Sequence, residues 1–230
     1  MTFDSAQRLS EILMALAFVQ QGAEHLAGRA RDRWWFAAQI GLALGVASGC
    51  APIAFELLLL AVSLALIRRF NGPYNGGSDR MRLLVLCCLL ASHVAPTPAW
   101  QRVALGYLAV QLVLSYTMAG WVKLANPDWR SGQALSDIFA FSVYPVSEGL
   151  RAWSSRRRAL LVVSWLLIAF EVLFPLALGD ATTLRAALGA ALLFHVGNAC
   201  VFGLNRFVWI WVAGYPCLLW FQLEMIQRSL

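Results

Sequence analysis

Apolar residues run along this chain in long blocks, separated by short clusters of Arg, Gly, Pro and Asn. The first block predicts a helix over about 6–27, with Asp4 or Ser5 as its cap. Its apolar core, Ile12 to Val19, falls short of the about 20 residues a crossing needs. That helix either spans marginally or lies along the membrane interface. Later blocks predict spans at about 35–50, 52–67, 81–95 and 102–123, then at about 159–178, 183–204 and 206–222. A less apolar stretch between the two sets holds an interfacial helix at about 131–141. The expected fold class is all-α, a polytopic transmembrane helical bundle of six or seven spans plus an interfacial helix. Residues 1–230 read as a single integral membrane domain. Within it, 1–33 holds the marginal helix, 34–123 four spans, 124–157 the interfacial segment and 158–223 three spans, the last either crossing or peripheral.

Composition agrees with the pattern. The chain is 60% apolar and 13% charged, about half the charged share of a soluble domain. Ten Trp residues suit rings that sit at headgroup level. The formal charge of +6 is concentrated in short loops. Lys and Arg number three in 29–33, four in 68–82 and six in 123–158, whereas the alternate loops carry Arg102 alone. This alternation is the positive-inside pattern and places the basic loops in the cytoplasm. Anionic lipid, rather than nucleic acid, is the partner such charge implies, because no basic stripe is interleaved with exposed aromatics. Lipid bilayer and other membrane or secreted proteins are the expected partners. The location expected is a bacterial cytoplasmic (inner) membrane.

Cys50, Cys87, Cys88, Cys200 and Cys217 lie in or beside apolar runs without CxxC spacing. They read as small packing residues, and no metal is expected. Gln20, Gln21, Glu24 and His25 follow the first apolar stretch where a signal-peptide cleavage site needs small residues. Gly41, Gly45 and Gly49 recur every four residues, a doubled GxxxG pattern that predicts close helix packing.

Ionisable residues inside spans are functional candidates by default. Glu56 and Glu171 are such intramembrane acids, readable also as protonated structural groups. His93, beside the breaker APTPAW, reads as an interfacial residue. Tyr116, Gly120 and Lys123 fall on one helical stripe, and His195, Asn198, Phe202 and Asn205 on another. Depth counted from the span ends brings Lys123 and His195 together and leaves Glu171 in the opposite half. A direct Lys123–Glu171 pair would then need a broken or steeply tilted helix. The expected ligand-binding patch is Tyr116, Gly120, Lys123, His195 and Asn198, roofed by Trp129. Lys123 is its candidate base; a snorkelling Lys is the plainer alternative.

The segment YTMAGWVKLANPDWRSGQAL (116–135) resembles the HTTM family, the membrane domain shared with vitamin K-dependent gamma-carboxylases. Tyr116, Ala119, Gly120, Lys123, Leu124, Trp129 and Gly132 match its pattern. Glu171 and Pro175 in AFEVLFP, FHVGNACVFGLNRF (194–207) and the loop NGGSD match further pieces in order, over about 70–207. The resemblance implies that Lys123 is a base linked to quinone chemistry. It also implies a His in the early loop, where this chain has Gly76 or Gly77, and a large non-membrane domain that is not seen here. Short bacterial members of the family include a protein that helps mature a secreted peptide toxin. The Gly-x-x-Lys-Leu turn is similar to that of DoxX-type quinone-linked membrane proteins. Three functions follow as alternatives. The first is a component of a membrane complex for maturation, assembly or export of a partner peptide or protein. The second is an intramembrane enzyme using Lys123 on a quinone-like or peptide substrate. The third is a structural subunit packing through its Gly-rich face. The cofactor is left open, with a quinone or lipid the candidate.

Overall fold

The computed structural model describes residues 1–27, 33–69, 76–142 and 147–226, without the side chains of Met225 and Ile226. Arg29, Arg31 and residues 70–75 of the Asn/Gly-rich loop lie outside the described residues. Among the described residues every regular element is helical. The longer helices are α1 Phe3–Leu26, α2 Arg33–Ser48, α3 Pro52–Arg69, α4 Gly77–Val94 and α5 Pro98–Ala125. Short helices follow: α6 Pro127–Arg130, α7 Gln133–Phe141 and α8 Glu148–Arg151. The chain then forms α9 Arg157–Leu173, α10 Ala181–Phe202 and α11 Asn205–Phe221.

Local chemistry sets several of these boundaries. Thr2, rather than Asp4 or Ser5, caps α1: its side chain accepts the Ser5 N–H, and Asp4 sits in the first turn where the helix dipole favours an anion. Pro52, Pro98 and Pro127 each open a helix, where a missing N–H costs nothing. Asp180 caps α10 by accepting the N–H groups of Thr182 and Thr183 at 2.8 and 2.9 Å. Gly203 ends α10 in the left-handed region, φ 69°.

Among the described residues, three helical segments are long and apolar enough to cross a bilayer: Pro98–Ala125, Arg157–Gly179 and Ala181–Phe202. The other predicted spans fall short for identifiable reasons. α2 and α11 have 16 and 17 residues, below the about 20 a crossing needs. α3 carries Glu56, Arg68 and Arg69, and α4 carries Asp79, Arg80 and Arg82. In the three long segments only 44%, 28% and 22% of the most apolar stretch is buried. Leu166, Leu176 and Leu193 are exposed on them. Apolar surface of that continuity is stable against lipid and not against water. The protein is an integral membrane protein associated with the bilayer.

The chain groups into two units. One comprises Met1–Val110 with the described residues from Arg206 on. In it α1 buries Ala6, Met14 and Phe18, and packs along α2. Gln39 donates to the Phe18 carbonyl at 2.9 Å and to Gln21 at 3.1 Å, so two buried amides satisfy each other. α11 buries Ile210, Cys217 and Trp220, with Ser10 within 3.1 Å of Cys217 and Phe3 edge-on to Trp220. Of the five cysteines only Cys88 and Cys217 are buried; Cys50, Cys87 and Cys200 are exposed.

Within the chain, the three glycines of the α2 region meet different surroundings. Gly45 meets the Phe55 ring of α3, with no room for a Cβ. The space beside Gly41 is open. Gly49 lies beyond the end of α2 at φ 77°, where it turns the chain towards Pro52 beside the Arg8 guanidinium. Four-residue spacing aligns positions on a helix only while the helix lasts, and α2 stops at Ser48.

The second unit is Gln111–Asn205: the end of α5, the connector helices, α9 and α10. After α9 the chain tightens into a 3-10 turn, Phe174–Gly179, with Pro175 near its start.

Candidate functional site: a lysine–glutamate pair in the second unit

The site begins with how the chain leaves α5. Asn126 caps α6 through Asp128 N–H at 2.8 Å, and Pro127 starts it. Gly132 then adopts φ 77°, with the position of a Cβ only 2.8 Å from Leu161 Cα. Both the turn and the contact require glycine there. The connector is fixed to the middle of α9: Ser164 donates to the Trp129 carbonyl, and Trp165 Nε1 donates to the Arg130 carbonyl at 3.1 Å.

This attachment corrects the expected depth of Glu171. The end of α5 is level with the second half of α9, not with its start. Lys123 Nζ lies 2.5 Å from Glu171 Oε2, with neither helix broken between its ends. Counting residues from span ends assumed that the connector lies flat at one surface. Instead it rises along α9. Gly120, one turn before Lys123, makes the approach possible, since a Cβ there would stand 2.7 Å from Val172 N and 2.8 Å from Glu171 Cβ.

The pair is largely enclosed, with side-chain exposures of 15% for Lys123 and 3% for Glu171. Trp129 covers the ammonium, its ring centre 5.1 Å from Nζ. The Ala119 carbonyl accepts from Nζ at 3.5 Å. The Lys123 ammonium is therefore held against Glu171, Trp129 and its own helix.

The other predicted residues lie close by. The Tyr116 hydroxyl is 2.9 Å from His195 Nε2, and the Tyr116 ring stacks on Phe174 at 4.3 Å. His195 is buried. Asn198 shares with Lys123 the lining of an open cavity of about 610 Å³, together with Trp129, Ile138, Phe141 and Phe202. The volume suits a lipid-soluble molecule of moderate size, since ligand pockets run about 300–1,000 Å³. The walls are mostly apolar, with the Lys123 ammonium and the Asp137 carboxylate as the charged groups among them.

Glu56 belongs elsewhere. In the first unit its Oε2 lies 2.9 Å from His93 Nδ1, and His93 Nε2 lies 3.2 Å from Glu11 Oε1. His93 is thus not simply interfacial; it bridges two acids. Glu11 was not singled out from the sequence, because it precedes the apolar core of its helix and shares no spacing with Glu56 or His93.

The HTTM domain family matches residues 88–223, which include every member of the Lys123 site. No curated protein matches the chain. No solved structure matches it either. The family match covers more than half of the chain and contains Tyr116, Lys123, Glu171 and His195 in one unit. This integral membrane protein belongs to the HTTM domain family.

Proposed function

We propose that the protein binds a lipid-soluble, quinone-like molecule in the cavity beside Lys123, and that Lys123 exchanges a proton with it. The carrying observation is the Lys123–Glu171 contact at the edge of an apolar cavity. An amphipathic ring system fits there with its apolar part against Phe141 and Phe202 and its oxygen towards Nζ. Glu171 can take or return the proton that Lys123 exchanges, because the two side chains share one hydrogen bond. Trp129 and the connector shield the ammonium on its own side. Tyr116 and His195 support the wall behind the pair through Phe174 and Phe170.

The test uses a photoreactive naphthoquinone on the purified full-length protein in lipid nanodiscs. Saturable labelling within residues 123–142 or 194–204, competed by unlabelled quinone, is the expected result. Labelling that is neither saturable nor competed rejects the reading. Lys123→Arg should keep binding and lose proton exchange, because a guanidinium does not deprotonate in this range.

A second reading is that the chain is a component of a membrane complex that matures, assembles or exports a peptide or protein. It is favoured by exposed aromatic surface in the second unit: Phe141, on the cavity wall, is 78% exposed, and Trp153 is 42% exposed. Recovery of a defined partner with the wild-type chain, and its loss on Phe141→Asp, would support that role.

A further inference from the structure

The first unit contains a polar cluster of its own, built from three helices. Glu11 comes from α1, Glu56 from α3 and His93 from α4. One donor atom of each lies within 4.8 Å of the others. Glu56 is fully buried, and its Oε1 has no hydrogen-bond partner. A buried carboxylate oxygen without a donor is costly, and a cation satisfies its lone pairs without supplying a proton.

The surroundings fit an ion. Arg8 donates to Glu11 Oε2 at 2.8 Å and to the Val46 carbonyl at 3.0 Å, which fixes the Glu11 carboxylate from outside the cluster. A cavity of about 390 Å³ opens beside it, lined by Asp4, Gln7, Arg8, Glu11, Pro52 and His93. It offers an entry path and space for water. Around a single ion with bonds of about 2.0–2.2 Å to nitrogen and oxygen, donors stand about 3–4 Å apart. The cluster needs to close by about an ångström, and His93 needs to turn so that one of its nitrogens faces both carboxylates, which meet opposite edges of its ring.

We propose that Glu11, Glu56 and His93 form a divalent transition-metal site. One imidazole nitrogen and two carboxylate oxygens bind the ion, and water from the cavity completes its shell. The two carboxylates balance the charge of the ion. When His93 ligates, a proton it carries leaves to solvent through the cavity. The donor set has no thiolate, which favours Zn²⁺, Mn²⁺ or Fe²⁺ over softer ions.

The test takes the full-length protein in detergent, strips it with a chelator and dialyses it against Zn²⁺ alone. Elemental analysis should find one zinc per chain. Glu56→Gln and Glu11→Gln should each weaken binding at least tenfold. No zinc on the wild type, or unchanged zinc on both variants, overturns the proposal. Should the variants fail to fold, Co²⁺ on the unaltered chain decides. Visible d–d bands without a thiolate charge-transfer band support the nitrogen and oxygen donor set. A strong thiolate band moves the ion to cysteine and overturns it.

Discussion

The ammonium of Lys123 stands 2.5 Å from the carboxylate of Glu171 and under the ring of Trp129, so a charged pair is held where little solvent reaches it. Removing one partner of a buried pair costs about 3–5 kcal/mol, whereas replacing both by apolar groups is often neutral. Lys123→Met and Glu171→Leu should each lower stability by about that amount, and the double variant should recover most of it. Thermal unfolding of the four proteins in one detergent measures this. Additive losses in the double variant would show that the two side chains do not depend on each other.

Gly120 sets how close α5 comes to α9. Gly120→Ala places a methyl against the backbone of Val172 and should cost about 1–3 kcal/mol by overpacking. It should also weaken quinone labelling, because the Lys123–Glu171 contact depends on the same approach. Wild-type stability in the Ala variant would mean that the helices yield freely at this point.

The three glycines of the α2 region should respond in three ways. Gly41→Ala has open space and a helical backbone, and should stabilise by about 0.5–1 kcal/mol. Gly45→Ala meets the Phe55 ring and should destabilise. Gly49→Ala must adopt a positive φ and should cost about 1 kcal/mol. Melting temperatures of the three variants give the order. Equal responses would restore the single packing face that the spacing implies.

Asp180, at the turn before α10, accepts two backbone N–H groups that hold its carboxyl below the usual value of 3.8. Its folded value is depressed, so its contribution is present above 3.8 and is lost as pH falls through the folded value. Asp180→Ala should lower the melting temperature at pH 7 and lose that deficit in strong acid. A deficit that persists at low pH would mean that the capping charge is not the source.

Helix positions were largely legible from apolar blocks and prolines. α3 and α10 begin within two residues of their expected starts, the first marked by Pro52 and the second by its apolar block. The Lys123 stripe was legible for the same reason, since positions four and seven residues apart share a face. What the sequence did not show was long-range. Nothing local indicates that Trp129 and Arg130 attach to Ser164 and Trp165, and that attachment brings Glu171 level with Lys123. Glu11, Glu56 and His93 were equally hidden, because each lies on a different helix and only packing brings them together.

Glu171 lies fourteen residues into α9, about 21 Å along its axis. It falls within Arg157–Gly179, a segment long and apolar enough to cross a bilayer, and a side chain within a spanning segment lies in the electric field of the membrane. The intact pair is electrically silent, since its two charges cancel. A ligand or proton that neutralises one partner exposes the other to the field, where a full crossing is worth about 2.3 kcal/mol per elementary charge at 100 mV. Under the proposed function, occupancy of the cavity beside Lys123 would respond to membrane voltage, and quinone labelling in unpolarised detergent and in energised vesicles should differ.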